Sequence, residues 1–334
     1  MKELIFFRKH WLTLLVVGFS LGLLMVGYAL GDWFDKSVYR ERRENLVNLA
    51  SDGVIIINNT ATRGSVSGEF YYLTGVDVSG ARLIIIPPAI AARASHPEFW
   101  QTTLYLPPKD PRAGVWNDPR LFAGEEAKEE TGIENVASLA GFYSDLSRLG
   151  AITDTIYLPM TGGMRAPGEL SPDLSFAQTV RNRLPGVKLK DISSLIDQLR
   201  WKKSPQEVAL LQKACQITCQ AVNEVMRFAH AGQYEYELEA LVNYIFRKEG
   251  SQRAAFTIIG SGPNSCILHH MRNDRRMEEG ELVVVDVGTV YHYYSTDITR
   301  TIPVSGKFTP EQKKIYNIVL QAQKKAISII RPGV

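Results

Sequence analysis

The stretch "VVVDVGTVYHYYSTDITRT", residues 283–301, places two aspartates inside runs of β-branched residues. Such runs favour strands, and we expect the two strands to form a hairpin centred on Tyr291 and His292. In that hairpin Asp286 and Asp297 would face each other, with their Cβ atoms about 4.5–5.5 Å apart. Burying a carboxylate in a strand costs several kcal/mol unless the charge is paired or ligated.

Two carboxylates at this distance repel each other unless one is protonated or a cation lies between them. A divalent metal ion, or a pair of ions, removes the conflict, and oxygen ligands suit hard or borderline ions such as Mn²⁺. The structural alternative is that Asp286 ends a strand before a glycine turn and Asp297 is simply exposed. Two carboxylates are also an incomplete ligand set, so a metal site requires further protein ligands.

The composition is that of an ordinary globular protein. The 334 residues are 45% hydrophobic and 22% charged, which allows two domains. A net charge of +3 favours neither nucleic acid nor a strongly acidic partner. Three cysteines do not indicate a disulfide framework, and we interpret Cys215 and Cys219 as small core residues on one face of a helix.

Residues 11–30 carry no charge and are long enough to cross a bilayer as a helix. The length favours a retained membrane anchor; a signal peptide, for which "ALG" is a poor cleavage site, and a buried helix are the alternatives. Basic residues flank the run on both sides, so they decide little about orientation. We expect a chain that is membrane-anchored or exported, with its bulk extracytoplasmic; a cytoplasmic orientation stays open.

Two regimes follow this first segment, residues 1–35. Residues 36–190 alternate between helical and strand patterns, which predicts an α/β domain; within it we predict that "EFYYLTGV" and "ARLIIIPP" are strands. Residues 191–334 predict an α+β domain, with capping boxes that begin helices after Ser204 and Thr309. In this domain "GSGPNSCILHH" predicts a glycine-rich turn followed by an apolar strand that ends in His269.

Several separate motifs resemble those of one enzyme family, in the expected order. "GSGPNSCILHH", "VVVDVG" and "DITRTIPVSGKFTPEQKKIYNIV" resemble the pita-bread metallopeptidases, in particular aminopeptidase P (Xaa-Pro aminopeptidase). Upstream, "RWKKSPQEVALLQKACQITCQAVNEVM" resembles the linking helix of the family. "FYYLTGVDVSGARLIIIPP" resembles its smaller N-terminal domain, which prolidase and creatinase share. The resemblance covers nearly all of the chain after the apolar run.

The resemblance implies a role for three residues. In the family, two Asp, one His and two Glu hold a dinuclear metal centre, usually Mn²⁺; Asp286 matches the first Asp, and Asp297 matches the second, which bridges both ions. His269 matches a histidine outside the metal shell that contacts substrate and assists proton transfer. In the family, a metal-bridging hydroxide attacks the scissile carbonyl, and the N-terminal residue is released from a peptide with proline in second position. Relatives are commonly dimers or tetramers, which implies a homo-oligomer.

Neighbouring residues have less defined roles. Thr299 lies two residues beyond Asp297, where it is either a hydrogen-bond partner of the site or a plain strand former. His270 and His292 have no match in the family pattern, and we interpret them as surface or structural residues. Arg300 points to the opposite face of the strand from Asp297.

The remaining His, Glu and Glu ligands lie further along the chain in the family than this sequence extends. Here no His follows His292, and Glu311 is the only Glu after Asp297. We expect either a fragment of a longer enzyme or a truncated, non-catalytic remnant. Prolidase, which cleaves only dipeptides, is the close enzymatic alternative, and an inactive relative that acts as a scaffold is the alternative of another class.

Overall fold

The computed structural model describes residues 34–60, 67–93, 102–109, 121–160 and 168–334. They divide into two compact units between Lys202 and Lys203. This boundary lies later than the predicted one at residue 191, because Ile192 and Ile196 are fully buried in a core of the first unit. The predicted membrane segment, residues 11–30, lies outside the described residues; no helix within them is long and apolar enough to span a bilayer.

The first unit contains a six-stranded mixed sheet. In chain order its strands are β1 (Val54–Asn58), β2 (Arg82–Ile85), β3 (Thr102–Leu106), β4 (Asn135–Ser138), β5 (Thr155–Leu158) and β6 (Lys188–Asp191). Their spatial order is β4-β3-β2-β1-β5-β6. The pairs β1–β2 and β2–β3 are antiparallel. The pairs β3–β4, β1–β5 and β5–β6 are parallel.

Helices cover both faces of this sheet. They are α1 (Lys36–Leu49), α2 (Gly68–Thr74), α3 (Pro88–Ala91), α4 (Glu125–Thr131), α5 (Phe142–Leu149), α6 (Pro172–Arg183) and α7 (Ser193–Trp201). Because side chains alternate along a strand, Ile55 and Ile57 of β1 contact one hydrophobic core, and Val54 and Ile56 contact the other. A sheet buried on both faces explains the unbroken apolar run "VIII".

The prediction that "EFYYLTGV" is a strand is wrong, because residues 68–74 form helix α2. The helix buries Phe70, Leu73 and Thr74, which recur at a spacing of three to four residues. It ends at Gly75, whose φ of 71° is left-handed. The ring of Tyr39 lies 2.6 Å from the position that a Cβ on Gly75 would take, so no other residue fits there.

Two buried arginines of α1 bind the carboxyl end of α2. Arg42 donates to the carbonyl of Tyr72 at 3.1 Å, and Arg43 donates to the carbonyl of Leu73 at 2.8 Å. The Arg42 guanidinium also stacks 4.1 Å from the Tyr72 ring centre. Burial, reinforced by the charge of Arg40, lowers the pKa of Arg43 to about 10. The carbonyls at the negative end of the helix offset part of the cost of burying these two cations.

The second unit contains an antiparallel sheet and helices. Its helices are α8 (Pro205–Phe228), α9 (Glu235–Lys248) and α10 (Pro310–Ile329), and its strands are β7 (Arg253–Ser261), β8 (Leu282–Tyr291), β9 (Tyr294–Ser295) and β10 (Ile298–Pro303). The strand order is β10-β8-β7, with β9 paired to β8. The predicted capping boxes at Ser204 and Thr309 are confirmed.

Helices α8 and α9 contact β8 and β7. On β8 the odd-numbered valines Val283, Val285 and Val287 are fully buried, and the even-numbered positions face the other way. The interpretation of Cys215 and Cys219 as core residues is wrong, because both are exposed; the buried stripe of α8 runs through Ala214 and Thr218 instead.

Candidate functional site

The hairpin that carries the two aspartates has a different register from the predicted one. Its turn is His292–Tyr293, with φ angles of 45° and 68°, and Tyr291 pairs with Tyr294. Positive φ at both central residues is the geometry of a type I′ turn, which matches the twist of antiparallel strands. Asp286 consequently pairs with Thr299 and not with Asp297.

Asp286 and Asp297 therefore lie diagonally across the β8–β10 pair. The Thr299 hydroxyl donates to Asp286 Oδ1 at 2.7 Å, and Asp297 precedes Thr299 by two residues. Diagonal neighbours of this kind are separated by about 7–8 Å between Cα atoms. The two carboxylates share the sheet face opposite the buried valines, where Asp286 is half-buried and Asp297 is exposed.

A chain of buried threonines fixes the backbone just before Asp297. The Thr289 amide donates to Thr296 Oγ1 at 3.1 Å, and Thr296 Oγ1 lies 2.7 Å from Thr218 Oγ1 of α8. Thr218 in turn donates to the Ala214 carbonyl, so the protons run in one direction along the chain. The Thr296 carbonyl comes within 2.0 Å of the position that a Cβ on Gly288 would occupy. Only glycine permits this approach.

The donor set at the aspartate pair suits a divalent cation. In the described part of the chain, Asp286 accepts a hydrogen bond from Thr299, and no hydrogen bond or ion pair reaches the Asp297 carboxylate. Two carboxylates on one face without a basic partner leave negative charge uncompensated, and hard oxygen ligands of this kind bind Mg²⁺ or Mn²⁺. The residues therefore fit the metal that the sequence predicts, as two ligands of a larger set.

His269 lies in a loop, and the predicted strand before it is wrong. Residues Gly262–Cys266 form a 3₁₀ turn, and no regular structure follows up to His270. The left-handed Gly262, with a φ of 50°, and Pro263 begin this turn, because together they break the extended backbone of β7. The His269 side chain is exposed, as are Ile267 and Leu268 before it.

The adjacent His270 is buried against a carboxylate that sequence analysis did not single out. Its Nε2 lies 2.9 Å from Oε2 of Glu235, the first residue of α9, and Glu235 is fully buried. Glu235 also accepts from the Ser261 amide and hydroxyl, each at 2.7 Å. Asn264 Nδ2 at 3.2 Å and the Arg275 amide at 3.1 Å complete the Glu235 cluster.

The Glu235 cluster is a hydrogen-bonded structure and not a second metal centre. Ligand-type atoms of Glu235, His270 and Asp274 lie within 4.8 Å of one another. Both oxygens of Glu235 already accept from N–H and O–H donors, however, and Asp274 pairs with Arg272 at 2.7 Å. Burial alone would raise the pKa of Glu235, but the bonds from Ser261, His270 and Arg275 lower it. The carboxylate is therefore held ionised by its donors.

Two family models match the chain. Residues 39–157 match the N-terminal domain of aminopeptidase P, and residues 209–334 match metallopeptidase family M24. The Xaa-Pro aminopeptidase of Haemophilus influenzae is 31% identical over 268 residues, which are 79% of this chain and 57% of that protein. For the Xaa-Pro aminopeptidase of Escherichia coli the identity is 29% over 315 residues, 88% of this chain and 68% of that protein.

A dipeptidase is also among the relatives. The Xaa-Pro dipeptidase of Pyrococcus horikoshii is 36% identical over 214 residues, 63% of this chain and 56% of that protein. The chain thus spans between about half and two thirds of the length of these three curated relatives.

Solved structures give the same assignment. Aminopeptidase P from Escherichia coli superposes with a TM-score of 0.78 at 29% identity, covering 90% of this chain and 69% of that chain. Proline aminopeptidase P II from Yersinia pestis gives 0.77 at 29% identity, with 90% and 70% covered. These matches confirm the predicted fold class, an aminopeptidase P-like N-terminal domain followed by pita-bread sequence. The chain thus contains sequence that matches the N-terminal domain of aminopeptidase P, followed by sequence that matches metallopeptidase family M24.

Proposed function

We propose that the protein is a metal-dependent Xaa-Pro aminopeptidase, which releases the N-terminal residue from peptides with proline in second position. One observation carries the proposal: Asp286 and Asp297 lie on one sheet face, and neither has a basic partner among the residues that the structure describes. The relatives of the chain include Xaa-Pro aminopeptidases. Asp286 and Asp297 would hold two Mn²⁺ ions together with further ligands. When bound, such a metal pair supplies an activated hydroxide and polarises the scissile carbonyl.

Each of the chain's own residues has a distinct part in this proposal. Thr299 orients the Asp286 carboxylate through its 2.7 Å hydrogen bond, which leaves the second oxygen for the metal. His269, exposed on its loop, contacts the substrate and moves a proton during cleavage. Asp297 has no competing donor within the described residues, so both of its carboxylate oxygens would be available to a metal ion.

The substrate distinguishes this proposal from its two alternatives. We would test the full-length protein, loaded with Mn²⁺, on Xaa-Pro-Xaa tripeptides and on Xaa-Pro dipeptides. Cleavage of tripeptides supports the aminopeptidase, and cleavage of dipeptides alone would establish the prolidase alternative, which the 36% identity to a dipeptidase keeps relevant. A protein that holds metal and cleaves neither is a scaffold.

The metal ligands are tested in the same assay. We expect D286N and D297N each to lower turnover at least about 100-fold and to reduce the bound metal per chain. The matched control is D197N, since Asp197 is an exposed aspartate of α7 in the other unit. If D286N keeps its full metal content and activity, Asp286 is not a ligand of the metal.

The location and assembly of the protein are separate proposals. The uncharged run at residues 11–30 is the basis for a membrane anchor or export signal, with the rest of the chain extracytoplasmic. Alkaline extraction of membranes and the intact mass of the native protein distinguish an anchored chain from a cleaved one. We also propose a homo-oligomer, which light scattering of the purified protein tests directly.

A further inference from the structure

One buried carboxylate binds the whole segment that presents His269. We call residues 261–275 the His269 segment. Ser261 at its start donates to Glu235 through both its amide and its hydroxyl, and Arg275 at its end donates through its amide. Near its middle, His270 bonds to the same carboxylate. The two ends and the centre of the segment are thus bound to the first turn of α9.

The cluster is buried and fully satisfied. Glu235 and Ser261 are 0% exposed and His270 is 7% exposed. A carboxylate has about four lone-pair sites. Five donor groups occupy those of Glu235, two from Ser261 and one each from Asn264, His270 and Arg275. Since charge-assisted hydrogen bonds of this kind are roughly twice as strong as neutral ones, the segment has one strongly preferred backbone position.

A second anchor acts on the same segment. Asn273, also fully buried and with a φ of 49°, accepts from the Ile259 amide at 3.0 Å. Its Nδ2 donates to Glu239 Oε2 at 2.8 Å and to the Thr257 carbonyl at 3.0 Å. These bonds join the segment to strand β7 and to the second turn of α9, independently of Glu235.

These contacts explain why one of the two adjacent histidine side chains is buried and the other is exposed. The His270 ring is buried by its bond to Glu235, whereas the neighbouring His269 is exposed. The His270 amide also donates to the Ile267 carbonyl at 3.2 Å, which fixes the backbone on both sides of His269. A loop that is otherwise irregular can therefore hold His269 in a defined place.

We propose that Glu235 and His270 are positioning residues for His269. The carboxylate–imidazole pair holds the backbone from which His269 reaches the substrate, and neither residue touches the substrate. This inference rests on the proposed function, in which His269 moves a proton. Because a misplacement of about 1 Å can cost about 100-fold in rate, the pair acts on turnover rather than on substrate binding.

The first test exchanges His270 in the full-length, Mn²⁺-loaded protein. H270L removes the donor to Glu235 at similar volume, and H270N is too short to reach it. H270Q places an amide nitrogen near the position of Nε2. We expect H270L and H270N to lower kcat by about 10- to 100-fold with KM within about 3-fold, and H270Q to retain kcat within about 3-fold. H230Q, at an exposed histidine outside the segment, is the control.

The second test asks whether His270 acts through His269. We expect H269A/H270L to be no slower than H269A alone, since a positioning residue has no effect once its target is gone. Independent losses that multiply in the double variant would overturn the inference, as would an H270L enzyme with unchanged kcat. If circular dichroism shows that H270L is unfolded, the comparison of kcat between H270N and H270Q tests the same inference. A wild type without peptidase activity instead overturns the proposed function, and the positioning role with it.

Discussion

Gly288 controls the geometry of the aspartate pair from a position between the two aspartates in the sequence. Its missing side chain allows the Thr296 carbonyl to occupy space 2.0 Å from where a Cβ would lie. The Thr289–Thr296–Thr218 hydrogen bonds depend on this approach. Asp297 is the next residue after Thr296, so any displacement there moves a carboxylate.

We expect G288A to destabilise the protein by about 1–3 kcal/mol, as overpacking of a buried site does, and to weaken metal binding. Urea denaturation and Mn²⁺ titration measure the two effects. The control is G186A, because Gly186 is exposed and has no atom within 4 Å of its added Cβ. Equal stability of the two variants would show that Thr296 moves aside without cost.

The sequence identified Asp286 and Asp297 as a pair but not their register. The turn that sets the register contains His292 and Tyr293 at positive φ, where asparagine and glycine are the usual residues. No local signal therefore marked the turn. Glu235 had no signal either, because its partners lie up to 40 residues away and only the folded chain brings them together.

At the scale of elements, the α1–α2 pair depends on buried arginines. "EFYYLTGV" has aromatic residues that favour a strand, yet it folds as α2, because tertiary contacts override a weak local preference. Arg42 and Arg43 supply two of those contacts at the carboxyl end of the helix. The helices with capping boxes, α8 and α10, were predictable because their signals are local.

We expect R43M to lower the free energy of unfolding by about 1–3 kcal/mol, since the Leu73 carbonyl loses its donor in a buried place. R40M, an exposed arginine one residue before Glu41 on the same helix, should stay within about 0.5 kcal/mol of wild type. Thermal unfolding of the two variants makes the comparison. An R43M protein as stable as R40M would show that relief of the buried charge offsets the lost bond.

At the scale of the whole molecule, Glu235 contributes to the pH dependence of stability. Its pKa is lowered in the folded state, so its contribution is fully present above the ordinary glutamate value of about 4.3. That contribution is lost as the pH falls from there through the folded-state pKa. Other carboxyls with lowered pKa values, such as Asp52 and Asp191, act in the same direction.

The difference between wild type and E235Q isolates this contribution. We expect E235Q to be less stable than wild type at pH 7, because its amide nitrogen replaces one oxygen and there faces either the Ser261 donors or the Arg275 amide. We expect this difference in stability to narrow as the pH falls below about 4.3. Urea midpoints from pH 7 to pH 3 record the trend. E279Q, at an exposed glutamate, should follow the wild type at every pH. A gap that stays constant would mean that Glu235 is not ionised in the fold.

The shared acceptor of the His269 segment has a consequence for how the molecule opens. The amide protons of Ser261 and Arg275 are fourteen residues apart, yet both bond to the Glu235 carboxylate. Local unfolding around one of these amides does not expose it to water, because both amides bond to the same buried carboxylate. In deuterium oxide we expect the two amides to exchange slowly and at one common rate, as a single opening unit, although most of the chain between them is loop.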